Sequence, residues 1–452
     1  MKVLVLFSSI LLWGLTTAQD ADPTDLEPLD KIDEKEFEEF YHLAPVDSAE
    51  YERRNKALEE NEKEIRKINE EYAAGEITWF DALNEFSDLP EDEFEHERTG
   101  SLDGSQFGRG LLEPSPEYRV DNQSEIYFAK LRLDRASVPA AYDSKALGHV
   151  SPVKNQLKCG SCVAFSNMGA VEVCIKKAAG AIGDYSEQQF LDCGYDNENA
   201  FGCDGAAPHA YLKWASDKKI DLAHESQYPY LAEKSSLVCP ANLPSYNLGA
   251  KISGSVYTYS GDEELLKQLV YKHGSVVASV MSTGPFSDYK GGIFAGCPAG
   301  ETKTDHAILV VGYGSENGLD YWLIKNSWGP DWGEGGYIRM QRGVSMCGIG
   351  KSLAAVSCEK TSGATDAPLT TKKPCLNKYS NCKDLAIGYC WQPSIAQDCA
   401  EACGLCDGMT PVASYTCYDK YTNCPDLTNY CNQDNIGLSC KKSCGTCFAS
   451  AG

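Results

Sequence analysis

Apolar residues recur at Tyr51, Leu58, Ile65, Ile68 and Tyr72, the spacing that turns one side of a helix toward a core. Gly75 follows as a stop signal, so the pattern predicts a helix over 51–72. Residues 162–179 are small or apolar almost throughout, with Ser161 at the cap position and Gly180 as a terminator. They predict a second, buried helix. Further on the period changes. Residues 307–313 and 321–325 are two apolar runs joined through Asn317-Gly318, a hairpin signal. Tyr337-Ile338-Arg339-Met340, after Gly335-Gly336, predicts a third strand. A helical half followed by a sheet half implies an α+β fold.

The flanks carry different patterns. Met1-Lys2, an apolar run over 3–15 and Thr16-Thr17-Ala18 have the layout of a signal peptide cut after Ala18. No later run reaches the 18 or more apolar residues of a membrane span, so no transmembrane segment is expected. Residues 99–120 are rich in Gly, Ser and Pro and predict an exposed connection. Just beyond them Asn122-Gln123-Ser124 is the one glycosylation sequon. Residues 359–374, rich in Thr, Ser, Ala, Lys and Pro, predict a flexible linker. After it come two cysteine-dense units, 375–406 and 417–447, with 6, 7, 8, 3, 2 and 6, 6, 8, 3, 2 residues between successive cysteines. That is an internal repeat. Units so short cannot bury an adequate core and need covalent staples.

With 452 residues the chain holds several units. Its 21 cysteines, behind a signal peptide, imply an oxidising compartment and a disulfide framework rather than a metal site. The odd count leaves one thiol unpaired. The net charge of −24 is concentrated in residues 19–135, which hold 34 acidic residues against 14 basic. That distribution argues against nucleic-acid binding.

The unpaired thiol has a candidate. Cys162 stands in Cys159-Gly160-Ser161-Cys162, six residues after Gln156; His306 lies in Asp305-His306-Ala307, and Asn326 opens Asn326-Ser327-Trp328. A thiol attacks a peptide carbonyl well only as a thiolate. It needs a base, a group to orient that base, and donors for the oxyanion. Cys162, His306, Asn326 and Gln156 supply these parts, and the first turn of a helix favours the thiolate.

These segments resemble the papain family of cysteine peptidases. The resemblance implies a two-lobed fold, a helical lobe facing an antiparallel β lobe across the catalytic cleft, and no cofactor or metal. It also implies a thiol pKa lowered from about 8.5 to about 3–4 by pairing with His306. Trp328 would shield the His306–Asn326 bond from water. Glu50, Arg54, Leu58, Asn61, Ile65 and Asn69, then Ala82, Asn84, Phe86 and Asp88, resemble two propeptide motifs of the family. They imply that residues 19–136 form a propeptide whose helical part, about 33–95, inhibits the protease domain at 137–358. Processing is expected between Leu131 and Val138. Acid is expected to release the propeptide if its carboxylates bind with depressed pKa values.

By the same resemblance Ala206, Ala207, Pro208, Ser279, Thr304, Asp305, Trp328 and Ser352 border the substrate, with an apolar pocket for the second residue before the scissile bond. The implied disulfides are Cys159–Cys203, Cys193–Cys239 and Cys297–Cys347. Cys174 and Cys358 remain and are paired by elimination. Three positions depart from the family pattern. Val163 replaces an aromatic, and Leu157 and Ala206 replace glycines, which should reshape the cleft. The cysteine repeats resemble ShK toxin-like modules, implying Cys375–Cys406, Cys382–Cys399 and Cys390–Cys403, then Cys417–Cys447, Cys424–Cys440 and Cys431–Cys444.

The sequence therefore predicts a secreted or lysosome-type endopeptidase zymogen, monomeric, acting on proteins or peptides, inhibited by its own propeptide, with modules for an unknown ligand. The competing reading is a catalytically silent binding protein on the same scaffold. A channel-blocking toxin is disfavoured because neither 391–398 nor 432–439 contains lysine.

Overall fold

The computed structural model describes residues 48–102, 121–133, 138–195, 199–232, 239–240, 243, 245–259, 261–282, 284–297 and 303–361. The expected signal peptide, both cysteine-rich modules with their disulfides, and nearly all of the linker lie outside the described residues. The chain divides into two units after Thr365, within that linker.

The elements begin with helix α1 (Ser48–Ala73), strand β1 (Trp79–Asp81), and helices α2 (Glu91–Arg98) and α3 (Asn122–Leu133). Strand β2 (Tyr142–Asp143) precedes the helical lobe, α4 (Cys162–Ala179), α5 (Glu187–Cys193) and α6 (Ala210–Lys218). The β lobe follows, with β3 (Ala250–Thr258), α7 (Glu263–His273), β4 (Val276–Val280), α8 (Pro285–Asp288) and β5 (Tyr289–Phe294). Strands β6 (His306–Glu316), β7 (Leu319–Lys325), β8 (Tyr337–Gln341) and β9 (Leu353–Lys360) complete it. The strand order is β1-β5-β8-β7-β6-β4-β9-β3, with β2 added beside β6. Every pairing is antiparallel except β5 with β8.

Helix α4 spans the predicted residues and ends at Gly180, whose φ of 86° lets its N–H return to the Lys176 carbonyl. Lys176 and Lys177 in its last turn complement the helix dipole. Ser161 occupies the cap position, but its hydroxyl does not cap. It bonds the Tyr230 hydroxyl at 2.7 Å instead, which corrects the expected capping role. The β6–β7 hairpin turns at Asn317-Gly318, both at positive φ, as a two-residue hairpin turn requires.

Apolar side chains form two clusters. One joins α4, α5 and α6 to the near face of the sheet through Met168, Phe190, Tyr211, Ala307 and Leu309. The other fills the β lobe, and Trp79, Phe86 and Phe94 from the N-terminal segment belong to it together with Phe128 of α3. Together with Ile68 and Leu89, six buried N-terminal residues thus join the core of the β lobe.

The helical motif residues of α1 serve as a polar clamp. Arg54 reaches Glu93 at 2.9 Å and Asp88 at 3.3 Å. Asn61 donates to the Ser87 carbonyl, and Asn69 both donates to and accepts from the backbone of Asp81. Asn84 donates to the Ser287 carbonyl at 2.8 Å, and the Ala82 N–H donates to the Asp288 carbonyl at 2.9 Å. Beyond the clamp, Phe86 and Phe94 meet Trp328 edge-on at 5.4 and 5.3 Å.

Candidate active site

Cys162 opens α4, His306 opens β6 and Asn326 directly follows β7, so three elements deliver three side chains to one buried place. The Cys162 sulfur accepts the Ala307 N–H at 3.4 Å, which brings the thiol to the first residues of β6. Asn326 Oδ1 lies 2.7 Å from His306 Nε2. The other ring nitrogen, Nδ1, is buried with no hydrogen-bond partner. The ring is thus held at one end and available at the other. Trp328 stacks on it at 4.6 Å with 30° between the planes, excluding water from the His306–Asn326 bond as the sequence suggested.

Gln156 is locked by its own amide. The Ser327 hydroxyl donates to its Oε1 at 2.7 Å, which aims Nε2 the other way. That nitrogen donates to the carbonyl of Arg98, the last residue of α2, at 3.1 Å, and also to the Cys159 carbonyl. Trp328 Nε1 donates to the same Arg98 oxygen at 3.2 Å. A peptide carbonyl from the N-terminal segment therefore sits on Gln156 Nε2, one of the donors expected for an oxyanion.

The chain then runs on through the cleft. Gly100 and Ser101 both donate N–H groups to the Asp305 carbonyl, at 2.9 and 2.7 Å. Ala206 donates to Gly100 and accepts from Leu102, a parallel bridge between Ser101 and Ala206. Gly100 (φ 147°) passes so close to Gly160 that a Cβ there would stand 2.2 Å from the Gly160 oxygen. Only glycine fits that crossing. The sequence reading missed Arg98, Gly100 and Ser101; a lone Thr-Gly-Ser after an acidic helix carries no signal that it will lie in a cleft.

The predicted pocket residues Ala206, Ala207, Pro208, Ser279, Thr304 and Ser352 are all buried. Ser279 donates its N–H to the Ser352 carbonyl at 3.4 Å, and its hydroxyl lies 2.9 Å from that of Ser101. Pro208 accepts from Asn167, and the Asp305 carboxylate accepts from Ser282. Cys159–Cys203, Cys174–Cys358, Cys193–Cys239 and Cys297–Cys347 are bonded, and Cys162 is the free cysteine among the described residues.

Residues 138–357 match the model of the papain family cysteine protease, and 374–406 and 416–447 match that of ShK domain-like sequences. Cysteine proteinase 3 of Solanum lycopersicum is 38% identical over 59% of this chain and 69% of its own. The chain belongs to the papain family of cysteine proteases. It is a cysteine endopeptidase by that membership, with the two-lobed fold the family implies. The cathepsin L-like proteinase of Fasciola hepatica is 34% identical over 67% of this chain and 86% of its own. Among solved structures, digestive procathepsin L 3 of Tenebrio molitor larval midgut superposes with a TM-score of 0.58 at 30% identity, covering 72% of this chain and 97% of its own. Recombinant stem bromelain precursor gives 0.56, also at 30%, with the same coverage. Both are precursor forms, and the described N-terminal segment of this papain-family chain lies in its cleft as a propeptide does.

Burial dominates the electrostatics of this closed form. Burial pushes the Cys162 thiol up to about 12, against the Ala307 hydrogen bond that favours the thiolate. Burial likewise pulls His306 down to about 4, with the Asn326 bond opposing. Burial therefore works against charge on both groups in this closed form, since a charge needs solvation or a partner in reach.

The condition attached to acid release, depressed carboxylates, is not met by the groups with shifted pKa values. The carboxylates with shifted pKa values around the propeptide contact are raised, not depressed. Burial lifts Asp81 well above the usual carboxylate range, with Asp288 and Glu64 adding repulsion. Burial lifts Asp288 and Asp305 to about 6 and raises Glu85. Protonating these groups favours the closed form.

Leu157 shows what a missing glycine costs. It sits at φ 52°, the left-handed region, held there by the Asn155 side chain accepting its N–H. Val163 is buried under the helix at 1% exposure, so the smaller side chain is accommodated by packing. Behind the site, Lys325 bonds Ser151, which donates to Glu172, and Lys154 bridges Glu187 at 2.8 Å and Asp184 at 2.9 Å. This buried charge network, invisible in the sequence pattern, anchors the chain just before Asn326. Burial draws Lys325 down to about 8.

Proposed function

We propose that this papain-family protease is a secreted or endolysosomal zymogen whose Cys162 forms an acyl-enzyme with a peptide substrate. His306 removes the thiol proton through Nδ1 and later gives it to the leaving amine. Asn326 positions the imidazole, and Gln156 Nε2 with the Cys162 N–H stabilises the tetrahedral oxyanion. Water then attacks the thioester, His306 takes its proton, and the acid product leaves with the thiol restored. Losing one oxyanion donor typically costs about 2.7–4 kcal/mol in transition-state stabilisation.

The observation that carries this reading is the Arg98 carbonyl on Gln156 Nε2 and Trp328 Nε1. The chain binds a peptide carbonyl of its own where a substrate carbonyl would react, beside a free thiol. In this closed form burial disfavours the thiolate; departure of the propeptide would admit water and let His306 take the thiol proton. The pocket at Ala206, Ala207, Pro208, Ser279, Thr304 and Ser352 carries no charge and would take an apolar side chain. The ShK-like units are proposed as tethered recognition modules, and the secretory route is supported by the first 18 residues and the disulfides.

The test is an epoxide that alkylates papain-type thiols. After propeptide removal it should modify Cys162 and abolish hydrolysis, and Cys162→Ala should be folded, inactive and unlabelled. An activated protein that hydrolyses nothing and leaves Cys162 unlabelled would point to the silent binding protein instead.

A further inference from the structure

Helix α3 is the part of the N-terminal region that inhibition does not explain. Its buried and half-buried positions are Ser124, Tyr127, Phe128 and Leu131, one stripe at helical spacing. Ser124 is fully buried and Phe128 is 5% exposed. Phe128 belongs to the same apolar cluster as Leu265, Leu269 and Ala355 in the β lobe. The Tyr257 N–H on β3 donates to Ser124 Oγ at 3.2 Å. The Tyr127 hydroxyl lies 2.6 Å from His273 Nε2, while His273 Nδ1 meets the Val356 carbonyl at 3.0 Å. Lys272 stands 4.4 Å over the Tyr127 ring. None of these partners is among the catalytic or substrate-bordering residues named above. At the outer side of the helix, Gln123, Glu125 and Lys130 are exposed, as is Asn122, the sequon residue, at its start.

A segment that exists only to be discarded needs contacts that block the site. This one instead packs on the β lobe through Ser124, Tyr127 and Phe128, and these contacts touch none of the active-site residues named above. Its loss would uncover Phe128's seat and leave His273 Nε2 without the Tyr127 hydroxyl. The Gly, Ser and Pro-rich residues 103–120 lie before it in sequence, and proteases cut such breaker-rich stretches in preference to seated helices. We infer that α3 stays on the β lobe when the inhibitory segment is removed, so that the mature enzyme keeps residues 121–133 as an N-terminal clasp. The activating cut then falls before Asp121 rather than between Leu131 and Val138, and the Asn122 sequon stays with the mature enzyme. This rests on the proposed zymogen reading.

The experiment is intact mass and peptide mapping of the full-length protein after maturation, by itself or by an added protease. The matured protein is gel-filtered without denaturant and labelled with the epoxide. Labelled enzyme whose chain runs unbroken from residue 121 or earlier is the expected result. Labelled enzyme that begins after Leu133, with or without a co-eluting helix peptide, overturns the inference while leaving the enzymatic reading intact. Absence of any label on Cys162 fails the enzymatic reading instead, and the same mass analysis still decides whether the helix is kept. A second measurement guards against misfolding of a drastic variant. Tyr127→Phe removes only the hydroxyl bonded to His273, and should lower the Tm of the matured protein by about 2–4 °C with kcat/KM on a small peptide unchanged. An unaltered Tm in the matured form, with a lowered one in the zymogen, means the clasp has gone.

Discussion

Gly100→Ala should open the zymogen. A methyl group at this position would stand 2.2 Å from the Gly160 oxygen and 2.7 Å from its carbonyl carbon. Both are backbone atoms and cannot swing aside, so the propeptide strand itself has to lift. The φ of 147° adds strain of about 1–3 kcal/mol for any residue with a Cβ. Lifting the strand also weakens the Gly100 N–H bond to Asp305 (2.9 Å) and the Ala206 N–H bond to Gly100 (2.8 Å), each worth about 0.5–1.5 kcal/mol. The total is about 2–6 kcal/mol, or at least about a 30-fold shift toward the open form at 1.4 kcal/mol per factor of ten. The assay is the rate of epoxide labelling of Cys162 in the unprocessed full-length protein at neutral pH. Gly100→Ala should label at least about 30 times faster than the wild type. Gly254→Ala serves as control, because a methyl group there would meet nothing within 4 Å and its φ is not positive. If Gly100→Ala labels no faster than Gly254→Ala, the strand does not guard the thiol and the account of inhibition fails.

Asp288→Asn keeps the acceptor for Ser87 Oγ (2.8 Å) but removes the charge. Because the Asp288 pKa is raised to about 6, its contribution to the closed form is present below about 4 and is lost as pH rises through 6. The variant should therefore slow labelling of the zymogen at pH 7 and leave it nearly unchanged at pH 4; faster labelling at pH 7 would contradict the sign. At the catalytic residues, His306→Ala should reduce kcat to nearly the level of Cys162→Ala, whereas Asn326→Ala should leave measurable turnover. Equal, complete losses from both would mean that Asn326 does more than orient the ring. Leu157→Gly should relieve about 1–2 kcal/mol of left-handed strain, close to what the half-buried leucyl group loses, so Tm should stay within about 2 °C. Leu157→Val, β-branched at positive φ, should lower it by more than about 4 °C, and a neutral valine would show that the backbone relaxes.

What the sequence determined by itself was whatever local chemistry encodes. The 3.6-residue period of α1, the small-residue run of α4 ended by Gly180, and the Asn317-Gly318 turn each act within a few residues, so their elements followed from the pattern. The Cys162, His306, Asn326 and Gln156 set was legible because each residue lies in a short run that resembles a known family. Four cysteine pairs could be named before any coordinate, and Cys174–Cys358, reached by elimination, is bonded across 184 residues. Tertiary structure decided everything that depends on what surrounds a group. Gly100 matters only because Gly160 approaches it from 60 residues away. The carboxylates of Asp81 and Asp288 are raised because each element buries the other's charge, which composition alone suggested would run the opposite way. The same enclosure pushes the Cys162 thiol up and His306 down. Helix α3 looked like the tail of a propeptide in the sequence; in the fold its stripe of Ser124, Tyr127 and Phe128 lies on β3 and α7. Burial and long-range contact set those energies, and neither has a period along the chain.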